Sequence, residues 1–265
     1  MIERLPRGVR VLLAAVLGTS LTLAAGCGST DDDSSGSSGS GGKTLFVFAA
    51  ASLTETFNSL GKTFESSHPG VKVKFNFGGS SALAQQITQG APADVFAAAS
   101  PATMKTVTDA KDTAGAPTTF VRNRLEIAVP PSNPGKVKTL NDLTNPKLKV
   151  VECAPQVPCG AAALKALAAA GLKVKPVSQE QDVKAALTKV QLNEADAALV
   201  YRTDVKSAGG KVTGIDFPEA AQAINDYPIA TLAHAPQPAL AKEFVQLVLS
   251  GQGRSVLEQA GFESP

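Results

Sequence analysis

Two serines stand where a chain can hold an anion. In Phe48-Ala-Ala-Ala-Ser52-Leu-Thr-Glu55 an apolar run, Leu45 to Ala51, stops at Ser52. A helical pattern follows, with Leu53, Phe57, Leu60 and Phe64 at spacings of four, three and four. Ser52 with Glu55 matches the Ser-x-x-Glu capping box, so Ser52 is expected to cap its own helix. Such a helix start also offers free N–H groups, the positive end of a dipole and a hydroxyl, which together suit an anion. The stretch alone favours the plain cap. The arrangement recurs downstream. Val71, Val73, Phe75 and Phe77 alternate with polar residues, Gly78-Gly79-Ser80-Ser81 follows, and Leu83, Ala84 and Ile87 begin a helical face. Paired glycines let backbone amides converge on an anion.

Catalytic patterns are weaker. Gly42-Lys43-Thr44 echoes the tail of a P-loop, but Ser37 stands where its first glycine belongs, and the segment precedes a strand. Ser59-Leu-Gly-Lys62 lies inside a helical pattern without the partner motifs of a serine acyl-transferase. No nucleophile elbow and no paired histidine and nucleophile occur. The reading is therefore a binding protein without catalytic residues, not an enzyme. A secreted hydrolase or transferase on a similar scaffold is the alternative from another class.

Composition narrows the partners. The chain has 265 residues, with 25 Lys and Arg against 23 Asp and Glu, and no Trp. There is no basic stripe, which argues against nucleic acid. Arg4, Arg7 and Arg10 precede an apolar stretch, Val11 to Ala25, of signal-peptide length. Leu23-Ala-Ala-Gly-Cys27 resembles a bacterial lipoprotein cleavage site, which implies export, lipid on Cys27 and anchoring to the outer face of the cytoplasmic membrane. Residues 1–27 are thus a signal peptide with its lipobox cysteine. Residues 28–42, all Gly, Ser, Thr and Asp, are expected as a disordered tether. In an exported chain, Cys153 and Cys159 read as a disulfide around a small loop. His68 and His234 have no metal-ligand spacing around them.

Apolar strands and helical patterns alternate from Leu45 onward with short loops, which argues an α/β fold with mostly parallel sheets. Helices are expected over 161–170, after Asp182, and at 238–249 and 251–260; strands over 124–130, 148–152, 195–201, 212–217 and 227–232. Ligands of such sheets sit beyond the carboxyl ends of strands, where Ser52 and Ser80 both fall.

Phe48-Ala-Ala-Ala-Ser-Leu-Thr54, Phe77-Gly-Gly-Ser-Ser-Ala-Leu-Ala84, Gly90-Ala-Pro-Ala-Asp-Val-Phe96, Val157-Pro-Cys-Gly160, Asp182-Val183, Leu199-Val-Tyr201 and Tyr227-Pro228 together resemble, in order, the blocks of the molybdate-binding proteins of ABC importers. The likeness spans residues 43–265. It implies a periplasmic-binding-protein-like fold (type II), two mostly parallel α/β lobes joined by a hinge. Residues 43–126 with 229–265 would form lobe I and 127–228 lobe II. It implies a molybdate or tungstate oxyanion between the lobes, no cofactor, and delivery to ABC permease and ATPase subunits by a monomer. Carried over residue by residue, the ligands are Ser52, Ser80, Cys159, Val183 and Tyr201, which meet the metal only through the oxyanion's oxygens. Ser81 competes with Ser80 for its place. Cys159 would serve through its backbone N–H. The alternative within the binding class is a receptor for another oxyanion such as sulfate.

Overall fold

The computed structural model of the protein describes residues 42–265; Cys27, the expected signal peptide and the expected tether up to residue 41 lie outside them. The chain runs β1 (Lys43–Ala50), α1 (Thr54–Ser67), β2 (Val71–Gly78), α2 (Ser80–Thr88), β3 (Val95–Ala97), α3 (Pro101–Asp109), β4 (Thr118–Asn123) and β5 (Leu125–Val129). It continues through β6 (Val150–Cys153), α4 (Pro158–Ala169), β7 (Ser178–Glu180), α5 (Val183–Gln191), β8 (Ala197–Tyr201), α6 (Arg202–Ser207) and β9 (Thr213–Ile215). It closes with β10 (Asn225–Thr231), α7 (Pro238–Leu249) and α8 (Gly251–Gln259).

Two five-stranded sheets result, ordered β2-β1-β3-β10-β4 and β7-β6-β8-β5-β9. The two orders share one scheme: second, first and third strands of a β–α series, then a strand entering from the other sheet's part of the chain, then an edge strand. The series strands pair in parallel, β1 with β2 and β3, and β6 with β7 and β8. The entering strands, β10 and β5, pair antiparallel with both neighbours. The sheets are therefore mixed. Helical crossovers enforce parallel pairing within a series, whereas a strand arriving from outside is free to run the opposite way.

The central strands are apolar at nearly every position because both faces are covered. Leu45, Val47 and Ala49 pack in one cluster with Phe57, Leu60 and Phe244, while Phe48 and Phe96 turn to another with Leu83 and Met104. The second sheet's cluster is built on Ile127, Val150, Ala163, Leu187 and Leu199, and Ala51 from the end of β1 joins it. The chain passes from the first sheet to the second at Arg124, between β4 and β5, and returns at β10. The strand expected over 124–130 is thus preceded by a separate strand, β4, which the sequence reading did not include. Among the described residues no helix is long and apolar enough to cross a membrane.

Candidate functional site

The candidate site is built largely from the starts of helices. The first begins irregularly. Ala51–Leu53 forms a 3-10 turn before α1, and neither Ala50 nor Leu53, the residues at the cap positions, makes a side-chain cap. The capping box expected of Ser52 and Glu55 is not formed. The turn places Ser52 inside the helical run, and its hydroxyl lies 2.9 Å from the Tyr227 hydroxyl instead of on the backbone. Glu55 meets the Lys184 ammonium at 2.9 Å.

α2 starts at Ser80, with Gly79 as its cap residue. The Ser80 hydroxyl oxygen accepts from the Ala99 N–H at 3.0 Å. α4 begins at Pro158, earlier than the expected 161. Proline lacks the N–H that a helix start leaves unpaired anyway, so it opens the helix without loss. Cys159 and Gly160 then carry the first free amides. Cys153 and Cys159 are joined by a disulfide with an S–S distance of 2.05 Å, which ties this helix start to the end of β6. A Cβ on Gly160 would overlap the carbonyl oxygens of Cys153 and Ala154, so only glycine permits that approach. α5 starts at Val183 under Asp182, whose carboxylate accepts from the Ala185 N–H at 2.9 Å. Tyr201 ends β8 and immediately precedes α6.

These pieces converge. Ser52, Ser80, Cys159, Val183 and Tyr201 line one cleft, together with Ala50, Ala51, Gly78, Gly79, Ala99, Val157, Pro158 and Asp182. The cleft is small, with a cavity volume of about 20 Å³, far below the usual range for drug-sized ligands. Ser81 is not among its walls. Ser52 and Ser80 are buried, and Tyr201 is 1% exposed. Among the described residues no Lys, Arg or His lines the cleft. The nearest cation in sequence, Lys184, spends its ammonium on Glu55, Asp204 and Ser207. The only carboxylate in the wall, Asp182, caps its own helix. A wall of hydroxyls and helix N-termini, with no formal positive charge, suits a small anion that accepts hydrogen bonds on all sides.

Behind the wall, further groups hold the hydroxyls. Asn225 Nδ2 donates to the Tyr201 hydroxyl at 2.6 Å, and Asn123 Nδ2 reaches the Tyr227 hydroxyl at 3.4 Å. Burial, then Tyr227 and Asp204 nearby, push the Tyr201 phenol well above its ordinary range, so it stays protonated and able to donate. Asp204 is fully buried and pushed up to about 6 by burial, which the Lys184 ammonium 3.4 Å away and the Tyr201 N–H oppose. Asn123 and Asn225 escaped the sequence reading because lone asparagines at strand ends carry no spacing signal. Tyr227 fell inside a recognised block, yet its hydroxyl's partner is 175 residues away.

Residues 45–263 match the family model described as bacterial extracellular solute-binding protein. The chain belongs to this family. The solute-binding protein is 47% identical over 240 residues to the molybdate-binding protein ModA of Mycobacterium tuberculosis (strain H37Rv), covering 90% of this chain and 92% of that one. It is 32% identical over 230 residues to the ModA of Escherichia coli (strain K12), covering 82% and 88%. Its fold matches the periplasmic molybdate-binding protein of Azotobacter vinelandii with a TM-score of 0.72 at 20% identity, over 83% of this chain and 99% of that one. As a solute-binding protein it acts outside the cytoplasm and by binding, without turnover.

Proposed function

We propose that this protein binds molybdate, and tungstate by the same chemistry, and delivers it to the permease of an ABC importer. Ser52, Ser80 and Tyr201 supply hydroxyl donors, and Cys159 and Val183 supply backbone N–H donors. The observation that carries this reading is one cleft of hydroxyls and helix starts without a cation in its wall, lined by all five residues that the resemblance implies. The molybdate-binding relatives support the choice of ligand. The two sheets are read as two lobes that close on the anion, with residues 43–126 and 229–265 in one and 127–228 in the other; the strand crossings at Arg124 and Asn225 support hinges close to those limits. The protein works as a monomer outside the cytoplasmic membrane, held there by lipid on Cys27.

Each hydrogen bond to an ionised acceptor contributes roughly 1.5–3 kcal/mol, so neutral donors suffice without a counter-charge that would itself need desolvation. Hydrogen phosphate brings an O–H that needs an acceptor and meets none here, whereas molybdate, tungstate and sulfate bring no such proton at neutral pH. The donor set is shared with sulfate, so titration calorimetry across molybdate, tungstate, sulfate and phosphate is the test. Molybdate and tungstate are expected to bind tightly, sulfate at least tenfold more weakly, and phosphate not measurably. Preference for sulfate, or silence to all four, would overturn the proposal.

A further inference from the structure

We propose that Asn225 is a positioning residue that aims two of the cleft's donors at once, and through them determines that the cleft offers protons only. This rests on the oxyanion reading above. Asn225 is buried at the start of β10, directly opposite Asn123 at the end of β4, where the two chain crossings lie side by side. Its Nδ2 makes two contacts, one to the Tyr201 hydroxyl at 2.6 Å and one to the Pro158 carbonyl oxygen at 3.3 Å.

The second contact removes the ambiguity of the first. A carbonyl oxygen can only accept, so the amide nitrogen, not the amide oxygen, must face this corner. The Tyr201 oxygen therefore accepts from Asn225. Its own proton has to point elsewhere, towards the neighbouring Tyr227 hydroxyl or the cleft that Tyr201 lines, and a bound oxyanion, being charged, is the stronger acceptor of the two. The Pro158 carbonyl and the Cys159 N–H belong to one planar trans peptide group, so they point in opposite directions. A donor held on that oxygen pins the peptide plane and polarises the N–H at its far side, which stands at the cleft. One side chain thus sets the direction of a phenol proton and the strength of an amide proton. Asn123 repeats the device more loosely. Its Oδ1 accepts from the Arg124 N–H at 3.0 Å, which turns its Nδ2 to the Thr203 and Tyr227 hydroxyls. Tyr227 is then free to donate to Ser52, and Ser52 to the cleft.

The test is a double-mutant cycle for molybdate binding by calorimetry, with Asn225→Ala, Tyr201→Phe and the pair, plus the near-isosteric Asn225→Asp. Asn225→Ala is expected to weaken binding about 10–100-fold, the range of one hydrogen bond to an ionised acceptor. In the Tyr201→Phe background the same change should cost at least threefold less, because the phenol it aims is already gone. Asn225→Asp, which keeps the volume but turns the Tyr201 proton back onto a carboxylate, should bind more weakly than Asn225→Ala. A residue that only fills space predicts the reverse order and equal costs in both backgrounds, and either result would overturn the inference. Wild-type protein that binds no oxyanion would overturn the functional reading and this one with it. Normal wild-type binding with an unaffected Asn225→Ala would overturn this one alone. Should Asn225→Asp fail to fold, the cycle built on Asn225→Ala carries the test.

Discussion

A donor is defined by where its proton goes, and that depends on what its oxygen already accepts. Ser80 shows this directly. The Ala99 N–H occupies its oxygen, so the hydroxyl proton is left for the cleft. Ser81, one residue on, is outside the wall. Ser80→Ala should therefore weaken molybdate binding about 10–100-fold. It should also lower stability by about 1–3 kcal/mol, because the Ala99 N–H loses its partner. Ser81→Ala should change neither. Calorimetry and urea unfolding on the two variants check this; a binding loss in Ser81→Ala instead would reverse the assignment.

At the scale of elements, the cleft is made by helix starts brought into contact. Gly79, the cap residue of α2, lies against the start of α5. A Cβ there would overlap the Gln181 carbonyl oxygen and come within 2.9 Å of Val157 Cγ1. The Lys184–Glu55 ion pair bridges α5 and α1 at the same place. Gly79→Ala should leave the ligand-free protein folded, since the proposed opening of the lobes would relieve the overlap, yet weaken molybdate binding at least tenfold. Small-angle scattering checks the cause: molybdate should reduce the radius of gyration of wild type and leave that of Gly79→Ala unchanged. Equal compaction in both would sink the idea.

Across the whole molecule, two buried carboxyls make stability depend on pH. Burial pushes Glu152 up to about 7 and Asp204 up to about 6. Between the ordinary carboxylate range and those values the folded state holds more protons than the unfolded one, so stability falls as pH rises through roughly 4 to 7. Glu152 Oε1 has no hydrogen-bond partner among the described residues and lies outside the cleft, so Glu152→Gln should remove part of that slope without touching ligand affinity. Its urea unfolding should match wild type near pH 4 and show greater stability near pH 8. An unchanged slope would mean that Glu152 is not a source of it.

Much of this was legible in the sequence because the signals were local. Repeated strand–turn–helix units, Asp182 as a helix start, and the ordered blocks from Phe48 to Pro228 depend on near neighbours in the chain, and they pointed to an α/β binding fold. Ser52, Ser80, Cys159, Val183 and Tyr201 could be nominated from those blocks, though only one by one. Local reading failed where a partner lies far along the chain. Ser52 matched a capping box, yet its hydroxyl bonds Tyr227, because a 3-10 turn and a strand from the other end of the chain intervene. Pro158 moved the start of α4 forward, which put Cys159 on the helix's first free amide. The antiparallel strands β5 and β10 and the two asparagines that aim the hydroxyls belong to chain crossings, whose pairing no periodicity encodes. By itself the sequence determined which residues could donate; the tertiary structure decided which way their protons point, because a hydroxyl's direction is set by the distant group that occupies its lone pair.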